Sequence, residues 1–367
     1  QFKWLQKHYP DELVISPWLG SYFFGFNLER EPFIENLGLR KALVLALDRD
    51  LLTEKVTQFG ELPSYTLVPP GIRDYVSPVP EWSEWTQAER EKEARRLYAM
   101  AGYSEENPLE FEIRYSAGAN NKKMALAASS LWKQVLGVQA TLLNEENKVF
   151  LQNREQKILT QVFQAGWISD YADPYSFLNL FRSGHGRNDY GYSNKLYDTL
   201  LDEVAAERIP SIRRRLMFET ERLLLADIPF IPLYTYVTKR MVNPRLKGWQ
   251  SNVMDHHYSK HMFFLKAAPD EPSTAVEEIE ISEIEGQSSI ASEPLQEIAV
   301  AGEEDGVILK EEDAESALPQ DGNEATAPGQ EQGLDQPLEE KQTGVVNEEV
   351  LTDTVKDDET TPEDSLE

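Results

Sequence analysis

Apolar and polar positions alternate most clearly from Leu109 to Tyr115. Leu109, Phe111, Ile113 and Tyr115 are separated by Glu110, Glu112 and Arg114, the two-residue period of a half-buried strand. Val138, Ala140 and Leu142 repeat that period, and Leu159 to Gly166 reads as a third strand. Helical spacing lies between them. Met124, Ala127, Ala128, Leu131, Trp132 and Val135 form one stripe, which Asn120-Asn121 can cap and Gly137 can close. A short helix is expected around Val149 to Gln156. Upstream, Leu39, Ala42, Leu43, Ala46 and Leu47 predict a helix from Leu39 to Phe59, stopped by Gly60. Thr86 and Glu89 have the spacing of a capping box, opening a helix that runs to Ala101 before Gly102. Downstream, Ser193 is expected to cap a helix carrying Leu196, Leu200 and Val204. Pro210 or Ser211 opens another, and Ile228 to Tyr234 is extended.

Strand, helix, strand, helix, strand with short links predicts an α/β layer rich in parallel pairing. In such sheets ligands sit beyond the carboxyl ends of the strands. That points to Trp167 through Pro174, just after the third strand.

Charge divides the chain. Of 64 Asp and Glu, 31 fall in residues 268–367, with only Lys310, Lys341 and Lys356 as cations; residues 1–267 hold 33 of each sign. The net −28 therefore belongs to the last 100 residues, which also lack Phe, Trp and Tyr. High charge without aromatics predicts a disordered acidic tail. Residues 1–267 hold every aromatic and all five histidines, enough to build a core. They offer no basic patch for nucleic acid. They contain no apolar run long enough to span a membrane. With no cysteine, disulfides, thiolate metal sites and a cysteine nucleophile are excluded. The start Gln1-Phe2-Lys3-Trp4 shows no leader pattern, so a processed product or a fragment is expected.

In Gly166-Trp167-Ile168-Ser169-Asp170-Tyr171-Ala172-Asp173-Pro174, two acids stand among aromatic rings, a setting for a cationic ligand group. Asp-Tyr and Asp-Pro are equally ordinary turn chemistry, so spacing alone leaves both open. His256-His257 and His261 beside Asp255 lack a firm third ligand, and no metal site is assigned. Asp170 and Asp173 give no reason for one raised carboxyl, and no phosphate loop or nucleophile elbow occurs, so an enzyme is not expected and no cofactor is called for. The arginines from Arg208 to Arg222 read as a solvated helix face.

The stretch Trp167-Ile168-Ser169-Asp170-Tyr171-Ala172-Asp173-Pro174 resembles the ligand-strand motif of the oligopeptide-binding proteins of ABC transporters, the family 5 extracellular solute-binding proteins. Further similar stretches follow in family order. They are Pro32-Phe33 with Leu39-Arg40-Lys41-Ala42-Leu43, Ala46-Leu47-Asp48-Arg49-Asp50, Pro63-Ser64-Tyr65, Glu93-Ala94-Arg95-Arg96-Leu97, Ala127 to Lys133, and Pro232-Leu233-Tyr234. The resemblance spans nearly all of residues 1–267 and roughly the C-terminal half of a full member. It implies a type II periplasmic-binding-protein-like lobe at about 25–236, part of a base domain at about 1–24 and 237–267, and the tail at 268–367. It further implies short peptides as ligands, ABC permease subunits in the membrane as partners, a monomer, and a periplasmic or cell-envelope location.

By the same resemblance Asp170 holds the peptide α-ammonium. Main-chain groups of Gln164, Gly166, Trp167, Ile168 and Ser169 supply a strand ladder, and Arg154 meets a peptide carboxylate. Gln164, Asn121 and Asn147 stand where close relatives carry an arginine, a histidine and a tryptophan, which leaves carboxylate anchoring and ligand length open. A non-binding fragment, or an interaction protein with an acidic tail, is the alternative.

Overall fold

The computed structural model describes residues 2–266. The predicted tail lies outside the described residues.

The elements begin with α1 (Phe2–His8), β1 (Leu13–Phe26), α2 (Leu37–Leu45) and α3 (Arg49–Leu51), which runs into a π-helical turn at Leu52–Thr57. After β2 (Leu62–Pro63) come α4 (Gln87–Met100), β3 (Glu110–Ser116), α5 (Ala119–Leu136), β4 (Gln139–Glu145), α6 (Asn147–Gln156) and β5 (Val162–Ile168). Then follow α7 (Tyr175–Leu178), α8 (Lys195–Ala206), α9 (Pro210–Asp227), β6 (Phe230–Met241), β7 (Leu246–Lys247) and β8 (Phe263–Phe264).

Six strands form one sheet in the order β2-β6-β1-β5-β3-β4, and β7 pairs with β8 apart from it. The sheet is mixed rather than parallel-rich. β3 pairs in parallel with β4 and β5, whereas β1 is antiparallel to both β5 and β6. Sequence periodicity misses β1 because its residues Leu19 to Phe26 are apolar or small and buried on both faces. Tyr22, Phe24 and Phe26 enter one core with α2, α4 and α5; Leu19 and Phe23 enter a second core with α7, α8 and α9. Helices on both faces of one sheet make a three-layer α/β fold.

Several local predictions hold. The Thr86–Glu89 capping box forms, Gly137 closes α5 in the left-handed region (φ +75), and Pro210 opens α9. Others shift. The long helix from Leu39 breaks after Leu45, where Asp48 accepts from the Leu51 N–H and restarts it. Left-handed Gln58 ends it before Gly60 is reached. Gly118 rather than Asn120-Asn121 precedes α5, and Asn194 rather than Ser193 caps α8 by accepting from Leu196 and Tyr197.

The break in that helix accommodates a buried charge. Arg49 is fully buried and donates to the carbonyl oxygens of Ser64, Pro232, Val44 and Leu47. Its guanidinium lies 5.0 and 5.1 Å from the ring centroids of Tyr65 and Trp82, and burial lowers its pKa to about 10. Arg40 does similar work, donating to the carbonyls of Phe33, Asp227 and Ile228 and so satisfying the end of α9.

On the other face, buried Glu221 of α9 pins the long loop after β2. One carboxylate oxygen accepts from the Leu67 and Val68 N–H groups at 3.1 and 2.9 Å, and the other from the Tyr75 hydroxyl at 2.7 Å. Burial still prevails over these donors and raises its carboxyl to about 7. The folded state therefore binds a proton that the unfolded chain releases near pH 4.5. The stabilisation is full below that pH and disappears as pH rises to about 7. Glu221→Gln should thus flatten the pH dependence of the thermal midpoint across this window, a term of order 3 kcal/mol. An unchanged slope in a pH series of melts would contradict it.

Candidate functional site

The carboxyl ends of the parallel strands gather most of the sequence-predicted residues. Two bonds to β1 fix the orientation of β5: Asn27 donates to the Gln161 carbonyl at 2.8 Å, and the Ser169 N–H donates to the Leu19 carbonyl at 2.9 Å. Backbone groups alternate sides along a strand, so odd-numbered residues of β5 face β1. The N–H and C=O groups of Gln164, Gly166 and Ile168 face the opposite edge.

That edge is open. β3 pairs with β5 only at Ile113↔Val162 and Arg114↔Phe163, then diverges. Beyond that point a side chain replaces the ladder: Gln164 Oε1 accepts from the Ser116 N–H at 3.3 Å and from its hydroxyl at 3.0 Å. Asn121 joins by donating to Ser116 Oγ at 3.0 Å. Gly166 and Ile168 are exposed, and among the described residues only β1 pairs with them. A Cβ on Gly166 would lie 3.1 Å from the Ser21 carbonyl, so glycine lets β1 approach closely.

The turn after β5 sorts the remaining candidates. Ser169 is buried and donates to the Tyr171 carbonyl at 2.7 Å, a structural role. Trp167 is half-buried and donates to Ser176 Oγ at 2.9 Å. Asp173 accepts from Arg213 at 2.6 and 3.2 Å and from the Tyr175 N–H, which commits it to the fold. Arg213 is therefore not merely part of a solvated face. Asp170 is exposed, and among the described residues no hydrogen bond or ion pair occupies its carboxylate. Asn147, at the start of α6, is exposed and takes no part in the hydrogen bonds of the Gln164–Ser116–Asn121 cluster.

Arg154 is already engaged. Its Nε donates to Asp189 Oδ2 at 2.6 Å, and one terminal nitrogen reaches the Gln164 carbonyl at 3.5 Å. The side chains are 16% and 8% exposed. Burial pushes the Asp189 carboxyl up, and the Arg154 guanidinium pulls against it. Sequence spacing gives no sign of Asp189, which arrives from a loop 35 residues away. Away from this site, Asp255 meets Arg240 and His257 Nε2, with His257 stacked on Trp249.

Residues 3–189 match the bacterial extracellular solute-binding proteins, family 5 (middle part). The chain belongs to this family. The periplasmic oligopeptide-binding protein OppA of Salmonella typhimurium is 36% identical over 266 residues, covering 72% of this chain and 49% of that protein. This family 5 chain thus spans about half the length of the curated relatives it matches. Among solved structures, the unliganded open form of the periplasmic murein tripeptide-binding protein MppA is similar with a TM-score of 0.69 at 31% identity, over 72% of this chain and 52% of that one. Haemophilus influenzae OppA in complex with RPPGFSPFR gives 0.63 at 34%, over the same shares. The α/β fold is that of periplasmic peptide-binding proteins.

Arg154→Ala leaves Asp189 buried without its partner. It should cost about 3 kcal/mol of stability, partly recovered in Arg154→Ala/Asp189→Ala. Urea denaturation of the two variants checks this; additive losses would mean the pair is not coupled.

Proposed function

We propose that this chain supplies the peptide-holding strand of a solute-binding protein serving a bacterial ABC peptide transporter. The observation that carries the proposal is the bare edge of β5 beside an uncommitted carboxylate. Gly166 and Ile168 offer backbone donors and acceptors two residues apart, the repeat of an added strand. A peptide taken up this way is held by its main chain, with little regard to sequence. Asp170, at the mouth of that edge, pairs with the peptide α-ammonium.

The family and its periplasmic peptide-binding relatives support this role. On this proposal residues 25–236 form the lobe that carries the edge, and residues 1–24 and 237–267 belong to the base. An opposing surface closes over the peptide, permease subunits receive it, and the protein works as a monomer in the periplasm or cell envelope without catalysis. The shortness of the bare stretch, Gly166 and Ile168, favours one second reading, a chain that keeps the fold without holding peptide.

Asp170→Asn should leave the thermal midpoint unchanged, because the exposed carboxylate makes no bond among the described residues. Binding of a free-amine peptide should weaken by about 1 kcal/mol in the open chain, and by about 3 kcal/mol where an opposing surface covers the pair. Calorimetry with a free-amine peptide and its N-acetylated counterpart tests the role directly. Equal heats for the two would remove Asp170 from it. No heat for either, on a chain shown to be folded, would favour the second reading.

A further inference from the structure

The edge of β5 has an amino-end anchor in reach; its carboxyl-end anchor is a different matter. Both arginines among the strand ends are consumed. Arg114 bonds Glu112 and Glu145, two carboxylates for one guanidinium. Arg154 bonds Asp189, and its guanidinium lies 5.6 and 5.8 Å from the ring centroids of Phe150 and Phe163. Its remaining contact is the Gln164 carbonyl, which belongs to the open edge itself. An incoming carboxylate would have to displace Asp189, which is 8% exposed, and strand that charge without a partner. Without displacement, the ligand carboxylate would lie beside Asp189 and be repelled.

Given the peptide-holding role proposed above, on which this rests, we infer that Arg154 is a positioning residue rather than a ligand anchor, and that the site takes extended peptides whose carboxyl end is left unheld. Arg154 ties α6 to β5 and to the loop carrying Asp189, and so holds the open edge in place. The ligands that fit are peptides engaged by their amino end and backbone. A carboxamide, or further residues running out of the slot, is accepted as readily as a free carboxylate.

The test uses the full chain, labelled with nitrogen-15, and one pentapeptide prepared as free acid and as carboxamide. Amide signals of Gly166 and Ile168 report engagement of the edge, and the Arg154 Nε–H signal reports carboxylate contact. The inference expects both peptides to shift Gly166 and Ile168 with affinities within about threefold. It also expects the Arg154 Nε–H to be equally insensitive to both. If Gly166 and Ile168 shift while the free acid alone moves Arg154 Nε–H, and amidation weakens binding about tenfold or more, the inference is overturned and the peptide-holding role stands. If neither peptide shifts Gly166 or Ile168, the role itself is overturned and the inference with it.

Discussion

The fold depends on β1. Its 14 residues pair with β5 along one edge and β6 along the other, and its side chains alternate between the two cores. β5 and β6 take their positions from it directly, and β3, β4 and β2 take theirs through those two. The pairing Gly20↔Ile168 through Phe26↔Val162 sets the height of β5, and thereby which of its backbone groups face away. Tyr22 stacks on Tyr234 of β6 at 4.7 Å, and Phe24 approaches Trp132 of α5, so the same strand also locks the helices of one face. Large aromatics on both faces of a central strand bury enough apolar area to fix its register.

Buried charges then organise what the strands do not reach. Arg49, Arg40 and Glu221 each bond mainly to backbone rather than to an opposite charge. Such groups satisfy carbonyls and amides that loops leave unpaired inside the protein. Arg49 joins the broken end of α2 to β6 and to the segment after β2; Glu221 joins α9 to Leu67 and Val68 of the same stretch. A long loop with little secondary structure of its own is held at both ends by side chains that accept or donate several bonds each. That division of labour leaves Asp170 as a charge that the described residues do not bond.

What could be read from the amino acids followed period and punctuation. β3, β4, α4 and α5 were legible because they are half-buried, and one polar face keeps the repeat visible. β1 was not, since burial on both faces erases the alternation. The break at Asp48 was hidden because apolar spacing continues through it, and only the inward turn of Arg49 explains it. At the site, Asp170 and the Gln164–Ser169 segment stood out by motif and position. The partnership of Arg154 with Asp189 did not, because it joins a helix to a loop whose course no local pattern determines. The engagement of Asp173 by Arg213 was invisible for the same reason.

The open edge lies inside the strand order rather than at its end. β5 has β1 on one side and β3 on the other, and the slot appears only where β3 turns aside after Arg114. An unpaired edge is ordinarily a liability, because any extended chain can join it. Here Gln164, Ser116 and Asn121 fill the start of the slot with side-chain hydrogen bonds, which limits the bare stretch to Gly166 and Ile168. So short a ladder holds a ligand weakly by itself, since each hydrogen bond exchanged with water gains only about 1 kcal/mol. The charge at Asp170 gains little while it faces solvent. Both gain strength when water is driven out. On the proposed peptide-holding role, the energetic logic of this half is that of a surface prepared for closure: it fixes direction and register, and a covering surface turns them into affinity.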